Sequence, residues 1–185
     1  MKHLFYPLGL TLLLCQNALA SLPTLPQVAQ DTPCSLSLGT QEVNYGRQTR
    51  YQLTDAGGGQ LSPGKRELLL GVVCPYSQPM KLALRGDRAL DGALRWGEHG
   101  SVRLRLYDAR LDGQPVALLQ EQSGQSSESL LLRPGEPFSA VQNGNVVEGK
   151  AFTAQLEIVP LLPESASRVA LQTDNEARLT LELLR

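Results

Sequence analysis

Few side chains in this 185-residue chain have types suited to covalent or metal chemistry, and they lie far apart. A hydrolytic triad needs a general base, normally a histidine beside its nucleophile. Beyond the first 20 residues the one histidine is His99, in the Gly-rich stretch "WGEHGS", where it reads as a surface loop residue. No G-x-S-x-G elbow occurs. A zinc site needs Cys and His clustered at ligand spacing, and the spacing here is wrong. "DRALDG" and "DARLDG" place two carboxylates near a glycine, but they lack the dense oxygen ligands of a calcium loop, and each holds an Arg that repels a cation. The expectation is a chain with no catalysis, no metal and no cofactor.

What remains is Cys34 and Cys74, 40 residues apart. In an oxidising compartment an even count favours a disulfide; the alternative is two unpaired buried thiols. Trp96 and Tyr107, with the loop "GEHGS", are the candidate surface for a glycan or host receptor. The competing reading of Trp96 is a core-edge side chain.

The compartment follows from the N-terminus. Residues 1–20, "MKHLFYPLGLTLLLCQNALA", have the form of a secretory signal: Lys2, a short apolar run, and a small-residue cleavage site at Ala18 and Ala20. The apolar run is too short to span a bilayer comfortably. Removing Lys2 leaves 16 basic and 18 acidic residues, interspersed, with no basic stripe for nucleic acid. Residues 21–33, "SLPTLPQVAQDTP", read as a Pro-rich N-terminal arm, and residues 34–185 as one domain.

The elements that must position these residues are strands. "CSLSL" puts Leu36 and Leu38 on one face. "TDAGGGQLSPGK" reads as a loop, and "RELLLGVVCPY" as a continuous apolar strand in the middle of a sandwich. "PMKLALRGD" aligns Met80, Leu82 and Leu84. "LRGDRALDGALRW" has helix-like spacing, which Gly86 and Gly92 weaken. In "GSVRLRLYDARLDGQPVALLQ", Val102, Leu104 and Leu106 oppose Arg103, Arg105 and Tyr107, and Asp112-Gly113 offers a tight turn. "EQSGQSSES" reads as a polar loop, "SLLLR" as a short strand and "PGEPFSAVQNGNVVEGK" as turn-rich. "AFTAQLEIV" sets Phe152, Ala154, Leu156 and Ile158 against Thr153, Gln155 and Glu157. "PLLPESAS" breaks that strand, "RVAL" is a short one, and "ARLTLELLR" alternates again, with Leu179, Leu181 and Leu183 on one face. Strands separated by turn signals predict an all-β fold of two packed antiparallel sheets.

The order of these pieces resembles a known family. A Cys after the arm, a second Cys about forty residues on in an apolar strand, "GSVRLRLYDARLDGQPVAL", "GKAFTAQLEIVP" and a final alternating strand together look like subunits of fimbriae built by the chaperone–usher pathway. "VNYG" and "VVCPYSQPMKLALRGDRA" look closer to fimbrial-like proteins of the DUF1120 type. The resemblance spans residues 34–185. It implies an immunoglobulin-like, pilin-type β-sandwich lacking its final strand, with a hydrophobic groove beside the C-terminal strand. A periplasmic chaperone fills that groove by β-strand addition, and at the outer-membrane usher the arm of another fimbrial subunit replaces it. Leu179, Leu181, Leu183 and Arg185 would then form the groove and chaperone-binding strand. Leu184 stands where such subunits often carry a penultimate Tyr.

The matching donor residues are Leu22, Leu25 and Val28. They fall out of alternation, and Pro23 and Pro26 remove backbone donors. A subunit that accepts a strand but donates poorly fits a minor or tip-proximal place in a surface fimbrium. Two alternatives stand beside this reading: a single-domain adhesin or carbohydrate-binding module, and a self-complete periplasmic β-sandwich whose last strand is paired on both sides.

Overall fold

The computed structural model describes residues 33–168 and 172–184. The expected signal peptide, the arm residues Leu22, Leu25 and Val28, residues 169–171 of "RVAL" and Arg185 lie outside the described residues. Among the described residues there is no α-helix, and so none long and apolar enough to cross a membrane.

β1 (Ser35–Leu38) keeps the predicted alternation, with Leu36 and Leu38 packed toward the core. A 3-10 turn at Arg50–Gln52 precedes β2 (Thr54–Gly57) and β3 (Gln60–Ser62). These two pair as a hairpin where the sequence predicts only a loop. Gly57, Gly58 and Gly59 all have positive φ, which is how so short a reversal closes.

β4 (Arg66–Pro79) is longer than predicted and is not buried on both faces. Leu70, Val72 and Cys74 face the core, while Leu69 and Val73 are 53% and 58% exposed on the outer face. An apolar run does not reveal that its sheet has solvent on one side. β5 (Lys81–Arg85) follows after the single residue Met80, and Met80, Leu82 and Leu84 are buried as predicted. The helix-like stretch forms turns and β6 (Leu94–Trp96).

β7 (Gly100–Leu111) buries Val102, Leu104 and Leu106 as predicted. The parity then changes: Ala109 and Leu111 are buried instead. The cause is a bulge at Asp108, where φ is +48° and the pairing register shifts. Asp112 and Gly113, both with positive φ, turn β7 into β8 (Gln114–Pro115) as expected of Asp-Gly.

β9 (Ala117–Gln120) and β10 (Gln125–Ser127) form a hairpin, so half of the stretch read as a polar loop is strand. β11 (Ser129–Leu132) is the short strand expected. β12 (Pro137–Gln142) is the main correction, because the sequence shows only turn residues around it. Phe138, Ser139, Ala140 and Val141 are all buried, so both faces are covered and no alternation is visible. Asn143-Gly144, again with positive φ at both, leads into β13 (Asn145–Val146).

β14 (Glu148–Pro163) has the predicted faces but does not break at Pro160. Its last pair with β4 is Ile158–Arg66, and beyond that point only β7 lies beside Pro160. A proline is tolerated where one edge is locally free. A 3-10 turn, Glu164–Ser167, follows, and β15 (Thr180–Leu183) is the final strand.

The sheets are antiparallel throughout. One runs β1-β4-β14-β7-β11, with β2 and β3 extending one end of β14 and β6 and β8 at the ends of β7. The other runs β15-β5-β12-β9-β10, with β13 on β12. Leu70, Val72, Leu104, Leu106, Phe152 and Leu156 of the first meet Leu82, Leu84, Leu118 and Phe138 of the second in one apolar cluster. The result is a β-sandwich.

On the outer face of the second sheet, Glu121 accepts a hydrogen bond from Ser139 at 2.7 Å and pairs with Lys81. Lys81, then Ser139, hold the Glu121 carboxyl below the usual range of a glutamate, against partial desolvation. A depressed folded-state value means the contribution is present above the unfolded value and is lost as pH falls through the folded one. Denaturant unfolding at a series of acid pH values is therefore expected to lose stability less steeply below the model value of 4.5 in Glu121→Gln than in the parent chain. Parallel curves would remove Glu121 from the acid sensitivity.

Candidate functional site

The two long flanks of the sandwich differ. On one, β10 ends at Ser127 and β11 begins at Ser129, so Glu128 alone carries the chain from sheet to sheet and closes that side. The other flank is bounded by β1 and β15. β1 pairs only with β4, and β15 only with β5. They come within 8 Å, Cα to Cα, yet no backbone hydrogen bond joins them among the described residues. Each has a ladder on one side and an open edge on the other.

Why these two strands face each other follows from the chain path. β4 and β5 are the second strands of their sheets, and Met80, fully buried, is the one residue between them. The strands outside them therefore share a flank. β1 is fastened there by the Cys34–Cys74 disulfide, which joins it to β4 at a Cα separation of 4.2 Å. β15 is fastened by four facing pairs, Thr180–Arg85 to Leu183–Leu82, and by the Leu184 amide donating to the Lys81 carbonyl at 2.8 Å.

Between these edges the apolar side chains are incompletely covered. Leu181 is buried, at 8% exposure. Leu179 and Leu183 pack on the core but stay half-exposed, as do Leu36 and Leu38 across the gap and Val43 just beyond β1. One strand further in, Leu70, Val72, Leu82 and Leu84 are at 1% or less. Exposure of core-facing leucines rises toward this flank alone in the first and last strands, where a neighbouring strand is absent among the described residues. Open N–H and C=O groups beside apolar side chains are what a further strand requires.

The structure therefore brings Leu179, Leu181 and Leu183 together on the core side of an open edge, as the sequence predicts for the C-terminal strand. The strand is shorter than expected: residues 177–179 are not part of it. Leu36, Leu38 and Val43 belong to the same surface and were not assigned to it from the sequence. The alternation in "CSLSL" was legible, but not that β1 lies opposite β15.

Trp96 and Tyr107 are not brought together. Trp96 ends β6 and packs against the core; its Cε3 would stand 2.9 Å from a Cβ on Gly100. That is the core-edge reading, not a sugar platform. Tyr107 lies seven residues along β7 from Gly100, on the outer face, with the Arg105 guanidinium 5.2 Å from its ring centre. Desolvation first, then its hydrogen bond to Glu67, pushes the Tyr107 hydroxyl above its ordinary value. Arg105 in turn makes a two-point pair with Glu157, at 3.2 and 3.1 Å. This is a surface ion network that braces β4, β7 and β14. His99 is exposed, next to Glu98, and among the described residues no group of three or more His, Cys, Asp or Glu is arranged to hold a metal ion.

Compared with known proteins, the chain matches no family model and no curated protein.

Proposed function

We propose that this protein is a structural subunit of a surface fimbria of the chaperone–usher kind, exported through a signal peptide, whose sandwich is completed by a strand from another molecule. The observation that carries the reading is the open flank: two one-sided edge strands, β1 and β15, bracketing half-exposed leucines. A periplasmic chaperone would lend the strand first, and another subunit would replace it at the usher. The reading involves no catalytic step. Full burial of a leucine side chain contributes roughly 1.5–3 kcal/mol, so covering the remaining surface of Leu36, Leu38, Leu179 and Leu183 gives the incoming strand a sizeable apolar gain beyond its ladder. The Pro-rich arm, a poor donor by its sequence, favours a minor or tip-proximal position.

The test is expression of the full chain in an oxidising periplasm, with and without a chaperone–usher chaperone. The chain alone is expected to aggregate or be degraded, and to be recovered as a complex when the chaperone is present. Leu179→Asp with Leu183→Asp is expected to abolish recovery, because both side chains sit at the open edge. Deletion of residues 178–185 is expected to do the same. A soluble monomer that unfolds cooperatively without any partner would instead support a self-complete sandwich and end the fimbrial reading.

A further inference from the structure

We infer that residues 175–178 form a latch, seated on Gly86 and Gly97, that determines where the C-terminal strand lies on β5. The ladder alone is weak at this task. β15 has four residues and one neighbour. Leu179, Leu181 and Leu183 recur every second residue, and so do Leu82 and Leu84 opposite them. A slip of one residue would turn the leucines outward and is excluded by burial, but a slip of two keeps every leucine facing inward. Something beyond the strand must distinguish these registers.

The lead-in segment does so by close contact at two turns. The Gly97 amide donates to the Glu176 carbonyl at 3.0 Å. A Cβ on Gly97 would stand 2.1 Å from Asn175 Oδ1, 2.9 Å from its Cγ and 3.1 Å from its Cα. Gly97 also has φ +62°, in the left-handed region that disfavours other residues. At the second seat, a Cβ on Gly86 would stand 2.8 Å from the Arg178 carbonyl oxygen and 2.4 Å from Cδ1 of the buried Leu94. Gly86 directly follows Arg85, the residue that faces Thr180 at the head of β15. The two seats are tied together, since the Arg95 amide donates to the Asp87 carbonyl at 2.8 Å. Ala177, between the contacts, packs on the core.

The latch thus grips the chain just before the strand and leaves the outer edge of β15 untouched. If that edge accepts a partner strand, as the proposed function holds, the latch decides which leucines the partner meets; this consequence rests on that reading, whereas the latch itself does not.

The test uses the oxidised full-length chain. Amide exchange followed by mass spectrometry serves a monomeric or an assembled chain alike, and cross-strand nuclear Overhauser contacts between Ala83 and Glu182 report the register in soluble samples. Gly97→Ala is expected to speed exchange over residues 181–184 about tenfold or more, while residues 102–106 of β7 keep their protection. It is also expected to weaken the contact between Ala83 and Glu182. Gly86→Ala is expected to act in the same direction. Asn175→Gly in the Gly97→Ala background removes the obstructing side chain and is expected to restore most of the protection. Parent-like exchange and register in both alanine variants would overturn the latch. So would equal loss of protection in β7 and β15, or no recovery with Asn175→Gly, because each would make the glycines general supports of the fold. A failed chaperone rescue would leave these outcomes unaffected.

Discussion

Cys74→Ser is expected to lower the unfolding free energy by roughly 4 kcal/mol, the chain-entropy value for a loop of this length. The bond spans a sequence separation of 40 residues. Its structural effect should be uneven. β1 has four residues, a single neighbour and no fully buried side chain, so little besides Cys34 keeps it on β4. The rest of the first sheet is held by the long β4–β14 and β14–β7 ladders, which do not need the bridge. Urea unfolding of Cys74→Ser should show a large drop in midpoint, and amide exchange should show β1 released before β14. Under the proposed function the variant should also fail to be recovered with a chaperone, since Leu36 and Leu38 leave with β1. A stability change below about 1 kcal/mol would mean that β1 is held by packing alone and that the bridge closes a loop already ordered.

Phe138→Ala is expected to cost about 3–5 kcal/mol, the range for emptying an aromatic site in a well-packed core. Phe138 is 1% exposed in β12, opposite Leu82 on one side and Gln120 on the other. It lies in the middle of the second sheet and meets the cluster built by the first. The neighbours are themselves committed to their ladders, so collapse into the cavity is limited and the upper half of the range is expected. Val146→Ala serves as the comparison. Val146 is 48% exposed in the two-residue β13, and its loss should stay within about 0.5 kcal/mol. Denaturant unfolding of both variants checks the pair. Equal effects would show that β12 is not the central strand of its sheet.

These two sites also mark what could be read without coordinates. The disulfide was legible because two cysteines remain after an export signal, and pairing follows from their number and compartment. Phe138 was not. β12 is covered on both faces, so "PFSAVQ" shows no period of two, and the Gly, Pro and Asn around it read as turns. The same limit explains β4 in reverse. Its unbroken apolar run looked like a strand buried on both sides, yet Leu69 and Val73 face solvent. Where one face is core and the other is water, as in the first part of β7 and along β14, the side chains alternate and the strands were found with their faces correct. The parity change after Asp108 escaped notice because a bulge adds one residue with no compositional mark beyond the tolerance of Asp for positive φ.

The candidate site divides in the same way. Sequence alone determined the all-β class, the Cys34–Cys74 pair, the Asp112-Gly113 turn and the inward face of Leu179, Leu181 and Leu183. Each depends on local chemistry: side-chain period, turn geometry or the number of thiols. Only the tertiary structure decided that β1 lies opposite β15, that Trp96 belongs to the core edge, and that Gly86 and Gly97 receive residues 175–178. Strand order is set by pairings between residues far apart in the chain, and a run of alternating leucines is the same whether it has one neighbour or two. An open flank is a property of the whole arrangement, so no stretch of sequence carries it by itself.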